Sequence, residues 1–276
     1  MIEFTLIAAL FGLLIGSFLN VCIYRWTRDL SVIAPRSACP GCNHLIAWYD
    51  NIPVLSYLIL RARCRHCKTA IPATYPIVEL LTALFFAYFV AIYGITLPAA
   101  KDCLFAAIMI GLIFSDLDTR LLPDEFTVGG LIAGLAFSVF IPLPPTLFAI
   151  LTDAANLHLS LRVTSFGEAF TGALIPAAAM WTLGFAFEKL RHKEVLGLGD
   201  VKMIAMMGAF LGLGGVVITL LIGSLLGSIL GLLWMKITGR DPKTYYLPFA
   251  TFLGAAALIV AASHGSIPEW YSQLLQ

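Results

Sequence analysis

The chain has 276 residues, of which 60% are hydrophobic and only 12% charged, and its mean hydropathy is +0.92. A soluble domain carries about 25% charged residues, so this composition excludes an ordinary soluble fold and describes a membrane protein. The formal net charge of +1 gives no global pull toward a polyanion, and no nucleic-acid partner is expected.

A membrane-crossing helix needs about 20 apolar residues. In chain order the candidates are 4–23, 77–97, 99–115, 126–141, 167–188, 201–237 and 247–264. The stretch 201–237 is too long for one crossing, and Gly212-Leu213-Gly214-Gly215 divides it into 201–211 and 216–237. The predicted fold is an all-α polytopic membrane protein of about eight transmembrane helices, with a small polar insertion between the first two. This gives three parts: a first helix (1–23), an inserted module (24–76) and a helical bundle (77–276).

The first segment carries only Glu3 as an early charge and shows no small-residue cleavage site before Asn20, so it reads as a retained helix and not as a cleaved signal. With the N-terminus outside, the inner segments are 24–76, 116–125, 189–202 and 236–246, which together hold all Lys and Arg except Lys101 and Arg162. The opposite orientation would break the positive-inside rule.

Segment 24–76 holds four of the six Cys, five Pro and seven basic residues. Cys39-Pro40-Gly41-Cys42 and Cys64-Arg65-His66-Cys67 are two CxxC knuckles separated by 21 residues. Each offers two thiols at the spacing that suits tetrahedral Zn²⁺, and the pair completes a zinc-ribbon-like shell. Four thiolates leave no open coordination position, which predicts a structural metal that staples a module poor in apolar residues. Arg63, Arg65 and Lys68 favour thiolates. A loop facing the reducing cytosol disfavours disulfides. His44 and His66 are alternative ligands or solvated loop residues; Cys22 and Cys103 lie in apolar segments and read as buried small residues.

Glu79, near the inner end of the second helix, is expected either to pair with an Arg of the module or to serve a ligand site. Small residues four apart, such as Gly12 and Gly16 or Gly223, Gly227 and Gly231, predict close helix packing. The outer loop 142–165 offers no legible chemistry, and no internal repeat is evident.

The acids at helix ends carry the functional signal. Asp116 and Asp118 end the third helix, and Pro123 stops the chain before the fourth. Two residues apart on a helix, they face different ways, so one of them looks into the bundle. Asp200 follows Gly197 and Gly199, whose freedom suits a tight turn, with Lys193 and Lys202 nearby; it also suits a cap on the helix 201–211. A carboxylate at a helix centre costs about 2.5–3.5 kcal/mol on insertion scales, so acids kept at helix ends point to function. Two close carboxylates cannot both ionise readily and share a proton. One then activates a water and the other protonates a leaving group, which is the chemistry of an aspartic peptidase. The alternative is a transporter whose acids carry protons or ions across the membrane.

At the level of motifs the chain resembles the type IV prepilin peptidases, bifunctional leader peptidases and N-methyltransferases of type IV pilus and type II secretion systems. Four segments carry the likeness: Gly16-Ser17-Phe18-Leu19-Asn20-Val21, the loop from Trp48 to Tyr57, Tyr75-Pro76-Ile77-Val78-Glu79, and the GxGD motif Gly197 to Asp200 followed by Lys202. The resemblance implies Asp116 and Asp200 as the catalytic pair, since Asp116 stands four before Arg120 and seven before Pro123, with Asp118 the alternative out of register. It implies zinc on Cys39, Cys42, Cys64 and Cys67, and cleavage of prepilin or pseudopilin leaders after a Gly at the cytosolic face of a bacterial inner membrane. It further implies methylation of the new N-terminus by S-adenosylmethionine, although no Gly-rich or Rossmann-like pattern marks a methyl-donor site and its residues stay unknown. Two departures are Ala62, where the family usually has Gly, and Phe249-Ala250 in place of Phe-Gly.

Overall fold

The computed structural model describes residues 2–191, 197–238 and 248–263. Among the described residues all regular elements are helical, and strand-like pairing is confined to two isolated bridges, Ala38 with Leu45 and Arg63 with Ala70. Parts of the expected inner segments, 192–196 with Lys193 and 239–246, lie outside the described residues, as do residues 247 and 264 at the two ends of the last predicted helix.

Two compact units divide the chain, Met1–Thr119 and Arg120–Gln276. The first holds α1 (Ile2–Trp26), a 3₁₀ turn (Trp48–Asn51), α2 (Leu55–Ile59), α3 (Thr74–Tyr93) and α4 (Leu97–Thr119). α1 packs along α3 and both contact α4. Glycine permits the α1–α3 approach: a Cβ on Gly12 would sit 2.7 Å from Ala83 Cα, and one on Gly16 2.6 Å from Glu79 Cα. On the outer face of α1, Leu6, Leu10 and Leu14 are exposed, an apolar stripe suited to lipid. α4 is the most enclosed, with Phe105, Met109, Ile110 and Leu112 fully buried.

The second unit holds α5 (Asp124–Ser138), α6 (Leu147–Ala154), α7 (Leu161–Arg191), α8 (Leu198–Thr238) and α9 (Phe249–Ala262). α8 packs against α5, α7 and α9. Gly208 of α8 crosses Gly172 of α7 so closely that a Cβ on Gly208 would collide with the Gly172 carbonyl. α8 is interrupted at Gly212 (φ 70°, ψ 177°), a backbone that residues with a Cβ rarely adopt, and the expected division of 201–237 has its counterpart there.

Five described helices, α1, α3, α4, α7 and α8, are long and apolar enough to cross a membrane, which makes this a multi-pass membrane protein. α5 and α9, of 15 and 14 residues, reach about 22 and 21 Å at 1.5 Å per residue, short of a ~30 Å hydrocarbon core.

Loop 142–165 is more ordered than its sequence suggests. Glu168 of α7, fully buried, accepts hydrogen bonds from the Thr146 N–H (2.6 Å), the Ala149 N–H (2.9 Å) and the Thr146 hydroxyl. These satisfy donors of the first turn of α6 that no intrahelical carbonyl can reach. Ser165 adds to the clamp, accepting from Leu143 N–H at 3.0 Å and donating to the Ile141 carbonyl at 3.1 Å.

Candidate functional site

The two CxxC segments fold as copies of one turn. In the first, Cys39 N–H donates to the His44 carbonyl (2.9 Å) and Asn43 N–H to the Cys39 carbonyl (2.8 Å). In the second, Cys64 N–H donates to Thr69 (2.9 Å) and Lys68 N–H to Cys64 (3.1 Å). The residue four after the first cysteine is left-handed in both, Asn43 at φ 55° and Lys68 at φ 61°. Apart from the cysteines only an isoleucine recurs, Ile46 and Ile71, each seven residues after the first cysteine of its knuckle, too little for a repeat to stand out in the sequence.

All four Sγ atoms of Cys39, Cys42, Cys64 and Cys67 lie within 4.8 Å of one another, and Cys39 and Cys67 are 3.6 Å apart. A tetrahedral Zn²⁺ with ~2.3 Å bonds sets its sulfurs about 3.8 Å apart, so the four residues fit that ion. The thiols pull one another in opposite directions. Hydrogen bonds from the Thr69 hydroxyl and backbone hold Cys67 down to about 6, and backbone donors at Cys67 and His66 lower Cys64. Cys42 is pushed up to about 11: a backbone bond at His44 opposes this, but desolvation and the thiols of Cys67, Cys39 and Cys64 outweigh it. Four anions cannot crowd here without a cation, which is the electrostatic case for a metal. Among the described residues no histidine joins the cluster; His44 and His66 instead face each other with ring centroids 3.6 Å apart.

Residues 48–57 brace this module. Arg65 grips Asp50 with its Nε (2.8 Å to Oδ2) and Nη2 (2.5 Å to Oδ1), a fork that holds the Asp50 carboxyl below the usual carboxylate range. The Ser56 hydroxyl donates to the Tyr49 carbonyl (2.9 Å) and accepts from Ile52 N–H (3.0 Å). Asn20 of α1 reaches the Tyr75 carbonyl at 3.1 Å.

Among the described residues no arginine pairs with Glu79. It is buried, and its Oε2 accepts the Val54 N–H at 2.7 Å, with Ser17 as a second partner. Val54 itself has a positive φ (60°, with ψ −48°), so the carboxylate fixes a strained backbone in the module. A cavity of about 360 Å³ opens between the module and the start of α3, lined by Tyr49, Asp50, Tyr57, His66, Tyr75 and Glu79 among others.

The acids of α4 differ sharply. Asp116 is 6% exposed, whereas Asp118 is exposed and pairs with Arg28 at 3.0 Å. Asp200 is half-buried in the first turn of α8, its N–H donating to the Gly197 carbonyl at 3.1 Å. It lies inside the helix, so it is not the residue capping it. The helix N-terminus favours its negative charge. Neither Gly197 nor Gly199 has a positive φ; Gly199 instead lets the turn close on Leu122, whose Cβ would be 3.1 Å from an added Cβ. Lys202 meets Asp124 of α5 at 2.7 Å, so the GxGD turn is held against the stretch 120–124 from both sides.

Comparison with known proteins agrees with these features. The Bacterial Peptidase A24 N-terminal domain model matches residues 10–93, and the Type IV leader peptidase family model matches residues 103–232. Prepilin leader peptidase/N-methyltransferase of Aeromonas salmonicida (strain A449) is 35% identical, over 95% of this chain and 91% of its own length. The protein of the same name from Pseudomonas aeruginosa is 32% identical, over 99% of this chain and 94% of its own length. The one from Myxococcus xanthus is 38% identical over 84% of this chain, which spans only 64% of that longer relative. No solved structure matches the chain. None of these relatives supports the transporter alternative. Matched in order by both models and aligned to relatives over nearly their whole length, the chain belongs to the type IV leader peptidase family.

Proposed function

We propose that this protein cuts the leader from type IV prepilins and pseudopilins after a Gly, then methylates the new N-terminus. Asp116 and Asp200 are the catalytic pair. The observation that carries the assignment is the contrast within α4: Asp116 is enclosed at the helix end, while Asp118 is spent on Arg28 at the surface. The ionised carboxylate takes a proton from water as its oxygen adds to the scissile carbonyl. The protonated partner then gives its proton to the departing amine as the C–N bond breaks. Sharing one proton lets the pair present both roles at once.

Cys39, Cys42, Cys64 and Cys67 hold a structural Zn²⁺ that folds the module of 24–76, while 1–23 anchors it and 77–276 forms the peptidase bundle. S-adenosylmethionine, when bound, supplies the methyl group. The Lys and Arg distribution supports an inner-membrane protein with its N-terminus outside and its module and aspartates on the cytosolic side. There an apolar substrate stem can lie in the lipid while its basic leader meets the active site.

Purified protein incubated with a prepilin, with and without S-adenosylmethionine, tests both steps by mass. Expected is a product lighter by the leader, then heavier by one methyl only with the donor. Asp116→Ala and Asp200→Ala lower cleavage by about 10²–10⁴-fold or more, the scale of lost acid–base catalysis. Asp118→Ala keeps cleaving. Cleavage surviving in both of the first two variants overturns the pair.

A further inference from the structure

We propose that the cavity between the cysteine module and α3 is the methyl-donor site, with Glu79 as the carboxylate that faces the donor's sulfonium. This rests on the methyltransferase part of the proposed function and names the place where the donor binds. The cavity's volume of about 360 Å³ lies within the 300–1,000 Å³ range of small-molecule pockets. Its wall combines three phenol rings, Tyr49, Tyr57 and Tyr75, with two carboxylates, Asp50 and Glu79. Asp50 is already neutralised by the Arg65 fork. Glu79 is not: it is 7% exposed, its bonds come from the Val54 N–H and Ser17, and no Lys or Arg among the described residues pairs with it. A buried carboxylate with neutral partners beside aromatic faces is a site for a cation that carries apolar surface. A sulfonium bearing an adenosine fits that chemistry, its ring having tyrosines to stack on.

The transfer balances without any further reagent. The neutral amine of the cut substrate forms an N–C bond to the methyl carbon, the C–S bond breaks, and its electron pair stays on sulfur as a neutral thioether. One proton leaves the nitrogen. The positive charge facing Glu79 is lost with the methyl, so spent donor binds this carboxylate less well than fresh donor does.

The test uses the full-length, zinc-loaded protein in detergent and measures S-adenosylmethionine binding by calorimetry, alongside cleavage and methylation of a prepilin. Glu79→Gln keeps an acceptor for Val54 and removes the charge; it should bind the donor about tenfold more weakly or worse, the size of one lost charge-assisted contact. It should also narrow the preference for S-adenosylmethionine over S-adenosylhomocysteine. Ala47→Phe, placed in the cavity wall, should block donor binding by volume. Retained zinc reports that the module of each variant is folded, and measurable leader cleavage reports the same of the bundle. A wild type that binds and uses the donor, with both variants binding it as tightly, overturns the cavity assignment. A wild type that cleaves but neither binds the donor nor methylates overturns the methyltransferase reading instead.

Discussion

The cysteine module and the helices of the second unit hold their shapes by opposite means. Between Arg28 and Ala73 the apolar core shrinks to Cys39, with Ser56 the other buried residue. Among the described residues, six of the eight non-glycine positions with positive φ fall in the module: Asp29, Asn43, Val54, Arg61, Ala62 and Lys68. A segment that buries so little and bends so often is short of the apolar burial that offsets backbone ordering. The helices of the second unit bury Met203, Ile204, Met206, Met207, Phe210 and Leu253 completely, and crossing glycines bring their backbones together. One region depends on point attachments and the other on continuous packing, so perturbations should separate them.

Metal removal should separate them most. Structural Zn²⁺ contributes about 10–16 kcal/mol in zinc-finger peptides, far more than any other contact in the module. A strong chelator, or Cys39→Ser, should release the amides of Cys39, Asn43, Cys64 and Lys68 to hydrogen exchange while α7 and α8 stay protected. Equal protection of the knuckles with and without chelator would show that no metal holds them.

Glycine crossings test the packed region. Gly208→Ala drives a methyl into the Gly172 carbonyl, and overpacking of this kind costs about 1–3 kcal/mol or more where backbone must move. Gly129 of α5 has nothing within 4 Å of an added Cβ. Gly129→Ala should therefore be neutral or stabilise by up to about 1 kcal/mol through helix propensity. Thermal unfolding in detergent reads both, and similar shifts for the two would mean the α7–α8 crossing is looser than drawn.

What the sequence revealed follows the range of the interaction. CxxC spacing is local, and it led directly to the four-thiol cluster. The break at Gly212 was legible because glycines interrupt an apolar run too long for one helix. For Asp116 and Asp118 the two-residue offset said only that they face different ways; which one is enclosed depends on how α4 lies against its neighbours. For Glu79 the two alternatives stayed open, and Glu168 was missed, because each meets backbone N–H groups 25 and 19 to 22 residues away, with no periodicity to signal it. α6, with eight residues, is too short for a helical pattern to stand out from loop.

Glu168 is a point attachment within the packed region, which makes it the intermediate case. Glu168→Ala leaves the Thr146 and Ala149 amides and the Thr146 hydroxyl without their acceptor, and an unmet buried donor costs about 1–3 kcal/mol. The expected loss is local: faster exchange across 146–154, with α8 unchanged. Exchange that rises across α7 and α8 as well would show α6 to be integral to the bundle.

The smallest effect expected is a gain. Ala62 stands where the resemblance expects Gly, and its backbone keeps the conformation that glycine favours, φ 57° after Arg61 at φ 52°. Bonds on both sides hold it there: its N–H donates to the Tyr57 carbonyl at 2.9 Å and its own carbonyl accepts from Ile71 N–H at 2.8 Å. The turn that delivers Cys64 to the cluster thus demands a left-handed residue whatever side chain is present. A Cβ there costs about 1–2 kcal/mol, partly offset in a glycine variant by the greater freedom of its unfolded chain. Ala62→Gly should therefore stabilise the module by about 0.5–1 kcal/mol, read as slower exchange at Cys64 and Lys68 and slower metal loss to a chelator. Asn43→Gly, at the left-handed position inside the first knuckle, should gain less, since asparagine tolerates this backbone better than alanine does. If Ala62→Gly instead loosens the module, the left-handed turn is not what the position requires, and alanine there is a fitted choice.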